Sequence, residues 1–465
     1  MNSVTKYSTS LLMATSFMVG GHKTSAQNDT VKVMAYNVLD YGFDCQGPVA
    51  GYHQYLKTII DYTQPDILTL EKMASIPMYA GDISGKAPVG FGDSILAHVL
   101  NVVVSNKFAY APFSNNAGAS NMSMLFYNSQ RFGFAGIVFN YSNITDFNCY
   151  KLFYKDANLS LTHDTTFLYI IPNHDISGST NVSQRAEQIT GYMSLIQQHF
   201  SHLPNMISMG DFNLRYTIEP LYQTLTALPD SNFRFYDPPF FPDNKFSYPA
   251  NWDINPAAYS GYLTTSTRAL ATAPNSCGTS DGGKNWYDHI FISPWLVNNS
   301  DYIHYVPNSY RTIGNDGHRV GISANDNTSN VNNSAPTEVI EAIYQMSNKY
   351  PIMMDLIITP DSNGISPASP ELHSITDINN TTIKDKKISI VNPVNDQLSI
   401  YISNDFIGRK MQLHCFDNFG RMILSKEITM TGNNVKIPLN TLPGIYFISI
   451  AMDNSVVYKS VLIKD

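Results

Sequence analysis

Short apolar runs, several of them alternating with polar positions, recur along most of the chain and predict buried β-strands. Four of these runs stop at a residue whose side chain offers an oxygen or nitrogen atom: Asn37, Glu71, His174 and Asp211. Polar groups at the ends of buried strands are typical of functional sites, because the rigid sheet positions them. We therefore expect these side chains to converge on a single pocket.

The segment between the first two strands predicts a helix. From residue 49 to residue 62, Tyr52, Leu56, Ile59 and Ile60 recur at helical spacing, and Pro65 closes the helix. The predicted order is therefore strand, helix, strand.

The run 207–209 ends at Gly210, which is followed by Asp211 and Asn213. Alternation along a strand would place the carboxylate and the amide on the same side of its exit. This pair suits a water molecule that attacks a phosphate, because the acid can accept a proton and the amide can hold a charged oxygen. The alternative is a surface turn, since Gly, Asp and Asn are ordinary turn residues.

The ordered set of motifs resembles the endonuclease/exonuclease/phosphatase superfamily of metal-dependent phosphoesterases. The set comprises Tyr36-Asn37-Val38, the strand ends at Glu71 and His174, Gly210-Asp211-Phe212-Asn213, and 287–293 with Asp288; Leu70 stands where the family often has Gln. The resemblance covers roughly residues 30 to 358. It implies a domain at 27–358 with an α/β fold, a four-layered sandwich of two central β-sheets flanked by helices. The implied activity is hydrolysis of a phosphodiester or phosphomonoester by metal-assisted water attack.

The resemblance also implies a role for most of the site residues. It gives metal ligands Asn37 and Glu71 and catalytic residues His174, Asp211, Asn213 and Asp288, and Arg185 matches one of its recurrent positions, which makes it a substrate-binding candidate. Arg268 and Lys349 are further substrate-binding candidates because their positive charge could contact a phosphate. The implied cofactor is Mg²⁺, or Mn²⁺ or Ca²⁺, as one or two ions, because hard cations prefer oxygen ligands. The alternatives are a Glu71 that only caps a strand, a purely structural His174 and a surface Arg268.

The chain departs from the family between Ser347 and Pro351. Asn348 stands where the family has Asp, and Lys349 stands where it has His. A lysine with an ordinary pKa stays protonated near neutrality, so it cannot accept a proton, although it can neutralise a phosphate. The second hypothesis is therefore a catalytically impaired relative that binds phosphate or another ligand at the cell surface.

Two acid and imidazole pairs offer a possible rescue of the missing base. One is Asp316 with His318, and the other is Asp288 with His289. On a regular strand His289 would point to the face opposite Asp288, and Gly317 separates the first pair, so we do not expect either to replace the family's contiguous pair.

Residues 231–252 are rich in aromatic residues and proline. Such a segment could stack nucleic-acid bases or touch lipid. Packing of an insertion onto its own sheet is the favoured interpretation, because aromatic side chains bury large areas.

The composition of the chain restricts the kinds of binding partner and the cellular compartment that we expect. The net charge of −8 argues against a broad basic face for nucleic acid, although a bound cation could supply local positive charge. Residues 1–26 have the shape of a secretory signal peptide, and no apolar run is long enough for a transmembrane segment. The four cysteines Cys45, Cys149, Cys277 and Cys415 leave the pairing open, with Cys415 in a separate tail.

The amino-acid composition changes after Ile358. Residues 359–385 have the composition of a linker, and 386–465 contain short alternating strands that predict a small β-sandwich. Asn392-Pro393-Val394 and 443–447 resemble the C-terminal sorting domain of type IX secretion. The resemblance implies that the protein interacts with the type IX secretion machinery and is secreted or attached to the cell surface. We expect the protein to be a monomer. Its expected substrate is a phosphate ester, such as nucleic acid or a phospholipid head group. The alternative is a generic β-sandwich binding module.

Overall fold

A computed structural model describes residues 29–75, 89–156, 165–298, 302–358, 388–390, 396–417, 422–439, 441, 444–452 and 455–464. The predicted signal peptide at 1–26 and the predicted linker at 359–385 lie outside the described residues.

The main part of the chain contains twelve described strands. In chain order they are β1 Asp29–Tyr41, β2 Ile67–Ala74, β3 Phe108–Tyr110, β4 Asn121–Asn128, β5 Phe132–Ser142, β6 Asp146–Tyr154, β7 Phe167–His174, β8 Met206–Asp211, β9 Asp288–Ile292, β10 Ile303–Tyr305, β11 Arg311–Thr312 and β12 Ile352–Ile358. They form a seven-stranded sheet in the order β10-β12-β1-β2-β4-β3, with β11 also paired to β12, and a five-stranded sheet in the order β5-β6-β7-β8-β9.

Helices cover the outer faces of both sheets. The α-helices are α1 His53–Thr63, α2 Val89–Ile95, α3 Val182–His199, α4 Pro220–Thr226, α5 Pro294–Asn298 and α6 Thr337–Met346; a π-helical turn, Leu96–Leu100, follows α2. Short 3-10 helices cover Val49–Gly51, Ser231–Phe233, Pro256–Tyr262, Leu270–Thr272 and Asn404–Phe406. The helix predicted at 49–62 is thus a 3-10 turn followed by α1, which ends at Gln64 in the left-handed conformation.

Alternation along β1 explains how the layers stack. Val31, Val33 and Ala35 face a core shared with the five-stranded sheet, whereas Met34 and Tyr36 face a second core built with α1, α2 and α6. Because both faces of the strand are buried, its sequence is an almost continuous apolar run. Helices α3 and α4 pack on the far side of the five-stranded sheet and contribute to the first core. The result is the four-layered α/β sandwich that the resemblance implied.

The aromatic segment at 231–252 packs largely onto the five-stranded sheet. Phe233, Phe235, Phe240 and Trp252 are buried, and the Phe240 ring stacks on Trp286 at a centroid distance of 5.8 Å. Phe241 and Tyr248 remain exposed at the edge of this cluster. The packing interpretation of the segment therefore accounts for most of its rings.

One disulfide joins distant parts of the main domain. Cys45 pairs with Cys277 across a sequence separation of 232 residues. Cys149 lies buried in β6, and Cys415 lies buried in the tail. The bond ties the loop after β1 to the segment that precedes β9.

The tail forms two small sheets from β13 Ile388–Ile390, β14 Gln397–Ile402, β15 Lys410–Asp417, β16 Met422–Thr429, β17 Asn434–Pro438, β18 Gly444–Met452 and β19 Ser455–Lys464. Their strand orders are β13-β14-β17 and β16-β15-β18-β19. The alternation in the sequence predicts six of these strands and misses β16, because most of its side chains are exposed and Lys426 separates its two partly buried apolar residues, Leu424 and Ile428.

Candidate functional site

Strand register brings the predicted polar ends into two neighbouring groups. In the seven-stranded sheet, Asn37 of β1 lies opposite Glu71 of β2. In the five-stranded sheet, His174 of β7 lies opposite Asp211 of β8, and Asp211 lies opposite Asp288 of β9. His174 and Asp211 are the last residues of β7 and β8, and Asp288 is the first of β9. Asn37 and Glu71 lie inside β1 and β2, at the last pair before the register of these two strands shifts.

A hydrogen bond between the two sheets joins these groups. The Asn37 amide donates from Nδ2 to Oδ2 of Asp211 at 2.9 Å, and the Asn37 Oδ1 accepts the backbone N–H of Leu39 at 2.9 Å. Gly210 precedes Asp211 with a φ of 133°, and a Cβ there would overlap the carbonyl oxygen of Asn173. Glycine is therefore required where β7 and β8 come together at the site.

Lys349 places an ammonium group between two carboxylates. Its Nζ lies 2.8 Å from Oδ2 of Asp211 and 3.5 Å from Oδ2 of Asp288, and 4.7 Å from the centre of the Tyr287 ring. Burial alone would lower the pKa of Lys349, but the carboxylates of Asp211 and Asp288 outweigh it and raise the pKa above its ordinary value. Lys349 is therefore charged near neutrality and occupies the space between the two acids.

The two carboxylates respond differently to this ammonium. Burial would raise the pKa of Asp211, but Lys349, His174 and the backbone N–H of Asn213 stabilise its charge and lower the pKa below its ordinary value. Burial raises the pKa of Asp288 to about 7, and the charge of Asp211 adds to this effect while Lys349 opposes it. Asp211 is thus ionised near neutrality, whereas Asp288 titrates there.

His174 is held in one tautomer by Asn121. Its Nδ1 lies 3.0 Å from Oδ1 of Asn121, an acceptor, so Nδ1 carries the proton and Nε2 carries a lone pair. Burial lowers the pKa of His174 to about 4, although the charge of Asp211 partly offsets this shift. His174 is therefore neutral and a weak base near neutrality.

These groups open onto a cavity of about 430 Å³ between the two sheets. Its lining includes the predicted site residues Asn37, His174, Asp211, Asn213 and Lys349, together with Lys72, Asn121, Asp175, Tyr287 and Asn348. Glu71 and Asp288 are buried and are not among the lining residues. The structure thus brings most of the predicted residues to one cavity, with two acids buried outside its lining.

Asp175 is a cavity residue that the sequence analysis did not select. It is 1% exposed, and neither carboxylate oxygen has a hydrogen-bond partner among the described residues. Burial raises the pKa of Asp175 well above its ordinary value, and the charge of Asp211 adds to this effect. Its position directly after His174 was the signal that could have identified it.

Glu71 has the surroundings of a cation ligand. It is fully buried, and neither of its carboxylate oxygens has a hydrogen-bond partner among the described residues. Burial raises the pKa of Glu71 well above its ordinary value, and the carboxylates of Asp288 and Asp211 add to this effect. Asn348 adds a second buried oxygen, Oδ1, that likewise lacks a partner in the described part of the chain. Carboxylate and amide oxygens are ligands that Mg²⁺, Mn²⁺ and Ca²⁺ accept, so this donor set fits one hard cation.

The opposite side of the site does not fit a second cation. The Lys349 ammonium already bridges Asp211 and Asp288. Within the described ranges, the only group of three His, Cys, Asp or Glu ligand atoms lying within 4.8 Å of one another is Asp40 with Cys45 and Cys277. Its two sulfurs are joined in the disulfide and are therefore not thiolate ligands.

The two arginines expected to contact substrate lie elsewhere. Arg185 is fully buried, and its Nη2 lies 2.9 Å from Oε2 of Glu219. Arg268 is fully buried and donates to the carbonyl oxygens of Tyr344 and Gln345 at 2.9 and 2.7 Å. Neither lines the cavity. The expected phosphate contacts are thus corrected to structural roles, because each guanidinium is occupied by protein acceptors.

The imidazoles of the two rescue pairs do not line the cavity. His289 lies on the face of β9 opposite Asp288, where its Nδ1 is 3.1 Å from Oδ2 of Asp237. His318 is exposed, and Asp316 accepts a hydrogen bond from Arg319 at 2.9 Å. No imidazole from these pairs takes the place that Lys349 occupies.

Because Asp288 titrates near neutrality, binding of an anion in the cavity should depend on pH. Below the pKa of about 7 Asp288 is protonated, and above it the added negative charge beside Lys349 repels an anion. We expect binding of bis(p-nitrophenyl) phosphate, whose charge is constant in this range, to weaken as the pH rises from about 6 to about 8. Calorimetric titration would measure this change. The Asp288→Asn variant should show no such step, and an unchanged step in that variant would assign it to another group.

Comparison with known proteins separates the tail from the main domain. Residues 392–464 match the family described as "Secretion system C-terminal sorting domain". The tail is a type IX sorting domain. It directs the protein to secretion or to attachment at the cell surface. None of the curated proteins compared with the chain matches it in sequence. Over the described residues, no helix has the length and apolar character needed to cross a membrane.

Several solved structures are similar to the larger part of the chain. They include humanized D. rerio TDP2, with 12% identity, a TM-score of 0.41 and coverage of 70% of this chain and 98% of that one. The human Nocturnin catalytic domain has 13% identity, a TM-score of 0.41 and coverage of 72% and 99%. An endonuclease/exonuclease/phosphatase family protein from Bacteroides thetaiotaomicron has 12% identity, a TM-score of 0.40 and coverage of 72% and 97%. Nothing about the substrate or activity of this chain follows from these values.

Proposed function

We propose that the main domain, at 27–358, binds a phosphate ester in the cavity between its two sheets and hydrolyses it only slowly. The observation that carries this proposal is the Lys349 ammonium, which lies between Asp211 and Asp288 where the resembling family has a histidine. An ammonium at this position attracts a phosphate oxygen but accepts no proton. Lys349 therefore supports binding of the ester but cannot act as the proton acceptor that hydrolysis needs.

The other polar groups of the cavity support binding better than proton transfer. Asp211 accepts hydrogen bonds from Asn37 and from the backbone N–H of Asn213, and its lowered pKa makes it a weak base. His174 is a weak base as well, since its pKa is about 4. A general base works best when its pKa lies near the operating pH. We therefore expect no efficient base among these cavity residues.

Asn213 and His174 can nevertheless orient the ligand. The Asn213 Nδ2 donates to the carbonyl oxygen of Asp175 at 2.8 Å, and its second N–H remains available for a phosphate oxygen. The His174 Nε2 lone pair can accept a hydrogen bond from a water or from a hydroxyl group of the ester. These groups fix the orientation of a ligand whose charge is balanced by Lys349.

The proposed site could also bind one divalent metal ion. Glu71, with the side-chain oxygen of Asn37 opposite it in register, would hold one divalent cation. The Oδ1 of Asn348, which lacks a partner among the described residues, is a further oxygen ligand in the cavity lining. When bound, such an ion supplies Lewis-acid chemistry, which polarises a phosphoryl oxygen and acidifies water. The side chains on the Asp211 side then hold and orient the ester.

The second candidate is an efficient phosphodiesterase or nuclease. The pKa of Asp288, about 7, favours it, because a carboxylate with this value is matched to general acid and base catalysis. Against this candidate, Asp288 is absent from the cavity lining and one of its oxygens faces Lys349. The binding function with slow hydrolysis is therefore the better supported of the two.

The expected location of the protein determines which phosphate esters it would meet. The sorting tail directs the protein to type IX secretion, so the cavity would meet extracellular or surface phosphate esters. The sequence features of residues 1–26 support export through a signal peptide, and we propose a monomeric protein.

Hydrolysis of bis(p-nitrophenyl) phosphate with excess Mg²⁺ tests this proposal. We expect the wild-type protein to bind the ester and to hydrolyse it far more slowly than the Asn348→Asp, Lys349→His double variant. Absence of binding by the wild-type protein would overturn the proposed binding function, and rapid wild-type hydrolysis would favour the second candidate.

A further inference from the structure

We propose that Lys349 is a built-in cation of the cavity, so that the domain binds a phosphate ester without any divalent metal ion. This inference rests on the proposed phosphate-ester site and deepens it, because it names the group that supplies the positive charge. It also separates binding of the ester from any ion held near Glu71.

The ammonium is fixed before any ligand arrives. The Lys349 backbone N–H donates to Oγ of Ser347 at 3.0 Å, and the residue forms an isolated β-bridge with Thr265. Its Nζ is held by Asp211 and Asp288 and lies against the face of the Tyr287 ring. A side chain that is already immobilised loses little conformational entropy when a ligand binds.

The ammonium also has donor capacity left for a ligand. It carries three N–H donors, and among the described residues its partners within hydrogen-bonding distance are one oxygen of Asp211 and one of Asp288. Lys349 itself lines the cavity. One donor is therefore available to a phosphate oxygen, and a charge-assisted hydrogen bond of this kind is stronger than a neutral one.

The charge of the cavity floor is compatible with an anion. Lys349 neutralises Asp211, and Lys72, which lines the same cavity, is paired with Asp40 at 3.0 Å. Asp175 is buried without a partner among the described residues, and burial raises the pKa of its carboxyl well above the ordinary value, which favours the neutral form. An incoming phosphate therefore meets two ammonium groups, one beside Asp211 and Asp288 and one beside Asp40.

The carboxylate of the possible cation site and the ammonium of the anion site lie in different places, although Asn37 and Asn348 line the same cavity as Lys349. Glu71 belongs to the seven-stranded sheet and does not line the cavity, whereas Lys349 reaches the Asp211 side of the five-stranded sheet. A metal at Glu71 could accelerate a reaction, but the first contact of the ester with positive charge would be Lys349. Binding and metal dependence are thereby separable by experiment.

The test is equilibrium binding of bis(p-nitrophenyl) phosphate to the full secreted chain. Calorimetry would measure this binding once in EDTA and once in excess Mg²⁺. We expect Kd values that agree within about threefold, a difference below about 1 kcal/mol. The Lys349→Met variant should bind about 10- to 100-fold more weakly in EDTA, the loss of one charged hydrogen bond. The exposed control Lys57→Met should stay within about threefold of wild type.

The outcomes distinguish this inference from the proposed function. Binding that disappears in EDTA and returns with Mg²⁺ would overturn the built-in cation while leaving the phosphate-ester site intact. Failure to bind under both conditions would overturn both. The comparison on wild-type protein needs no substitution, so the test stays decisive if Lys349→Met unfolds.

Discussion

Replacing Asn348 by Asp and Lys349 by His together is expected to raise the rate of phosphodiester hydrolysis about 100- to 10,000-fold, the usual contribution of a positioned general acid or base. The new imidazole would lie beside Asp288, where Lys349 now lies 3.5 Å from Oδ2. Histidine has an ordinary pKa of about 6.5, so it can accept a proton near neutrality, whereas the ammonium of Lys349 cannot. The measurement is kcat/KM for bis(p-nitrophenyl) phosphate with excess Mg²⁺.

The single variants make this test specific. Asn348→Asp alone leaves the ammonium in place, so it should give a small part of the increase, and Lys57→His controls for an added histidine on the surface. A double variant that folds and binds the ester but hydrolyses it at the wild-type rate would show that the lysine does not limit catalysis.

Replacing Arg185 by Met is expected to lower the free energy of unfolding by about 3–5 kcal/mol, the cost of breaking a buried ion pair. Arg185 and Glu219 are both fully buried, with Nη2 and Oε2 2.9 Å apart. The same guanidinium donates to the carbonyl oxygen of Gly178 at 2.7 Å, close to Ile176 in the cavity wall. The loss would leave the Glu219 charge buried without its counterion. Denaturant unfolding of the main domain would measure it.

An exposed pair provides the matched control for this prediction. Lys57 and Asp61 form an ion pair on the surface of α1, with side-chain exposures of 30% and 52%. Lys57→Met should change stability by less than about 1 kcal/mol, because exposed pairs contribute little. Arg185→Met with Glu219→Leu should recover part of the loss. If Arg185→Met unfolded at the wild-type denaturant concentration, the structural role assigned to Arg185 would be wrong.

Much of the fold was predictable because its central strands are buried on both faces. The apolar runs of β1, β7 and β8 were sufficient to locate these strands, and their terminal residues identified Asn37 and Asp211. Strand β16 was missed because it is mostly exposed and Lys426 interrupts the alternation between Leu424 and Ile428. The pairing of Cys45 with Cys277 was also beyond the sequence, since several pairings are compatible with the same spacings.

The sequence predicted the site residues whose location depends on their position along a strand. It did not predict the residues whose role depends on which side chain or backbone group they contact. Asp211 and His174 occupy strand ends that lie in register, so their positions followed from the sequence pattern. Arg185 and Arg268 were assigned to substrate because the sequence gives their charge but not the acceptors that satisfy it. Asp175 was missed for the reverse reason, because only the structure shows a buried carboxylate without a partner among the described residues.

The most direct measurement of the central claim is a crystal structure of the protein with bis(p-nitrophenyl) phosphate bound in the presence of EDTA. We expect density for the phosphate in the cavity, with one oxygen within hydrogen-bonding distance of Lys349 Nζ while that atom still contacts Asp211. A phosphate bound at another surface, or a Lys349 side chain turned away from Asp211 and from the ligand, would contradict it.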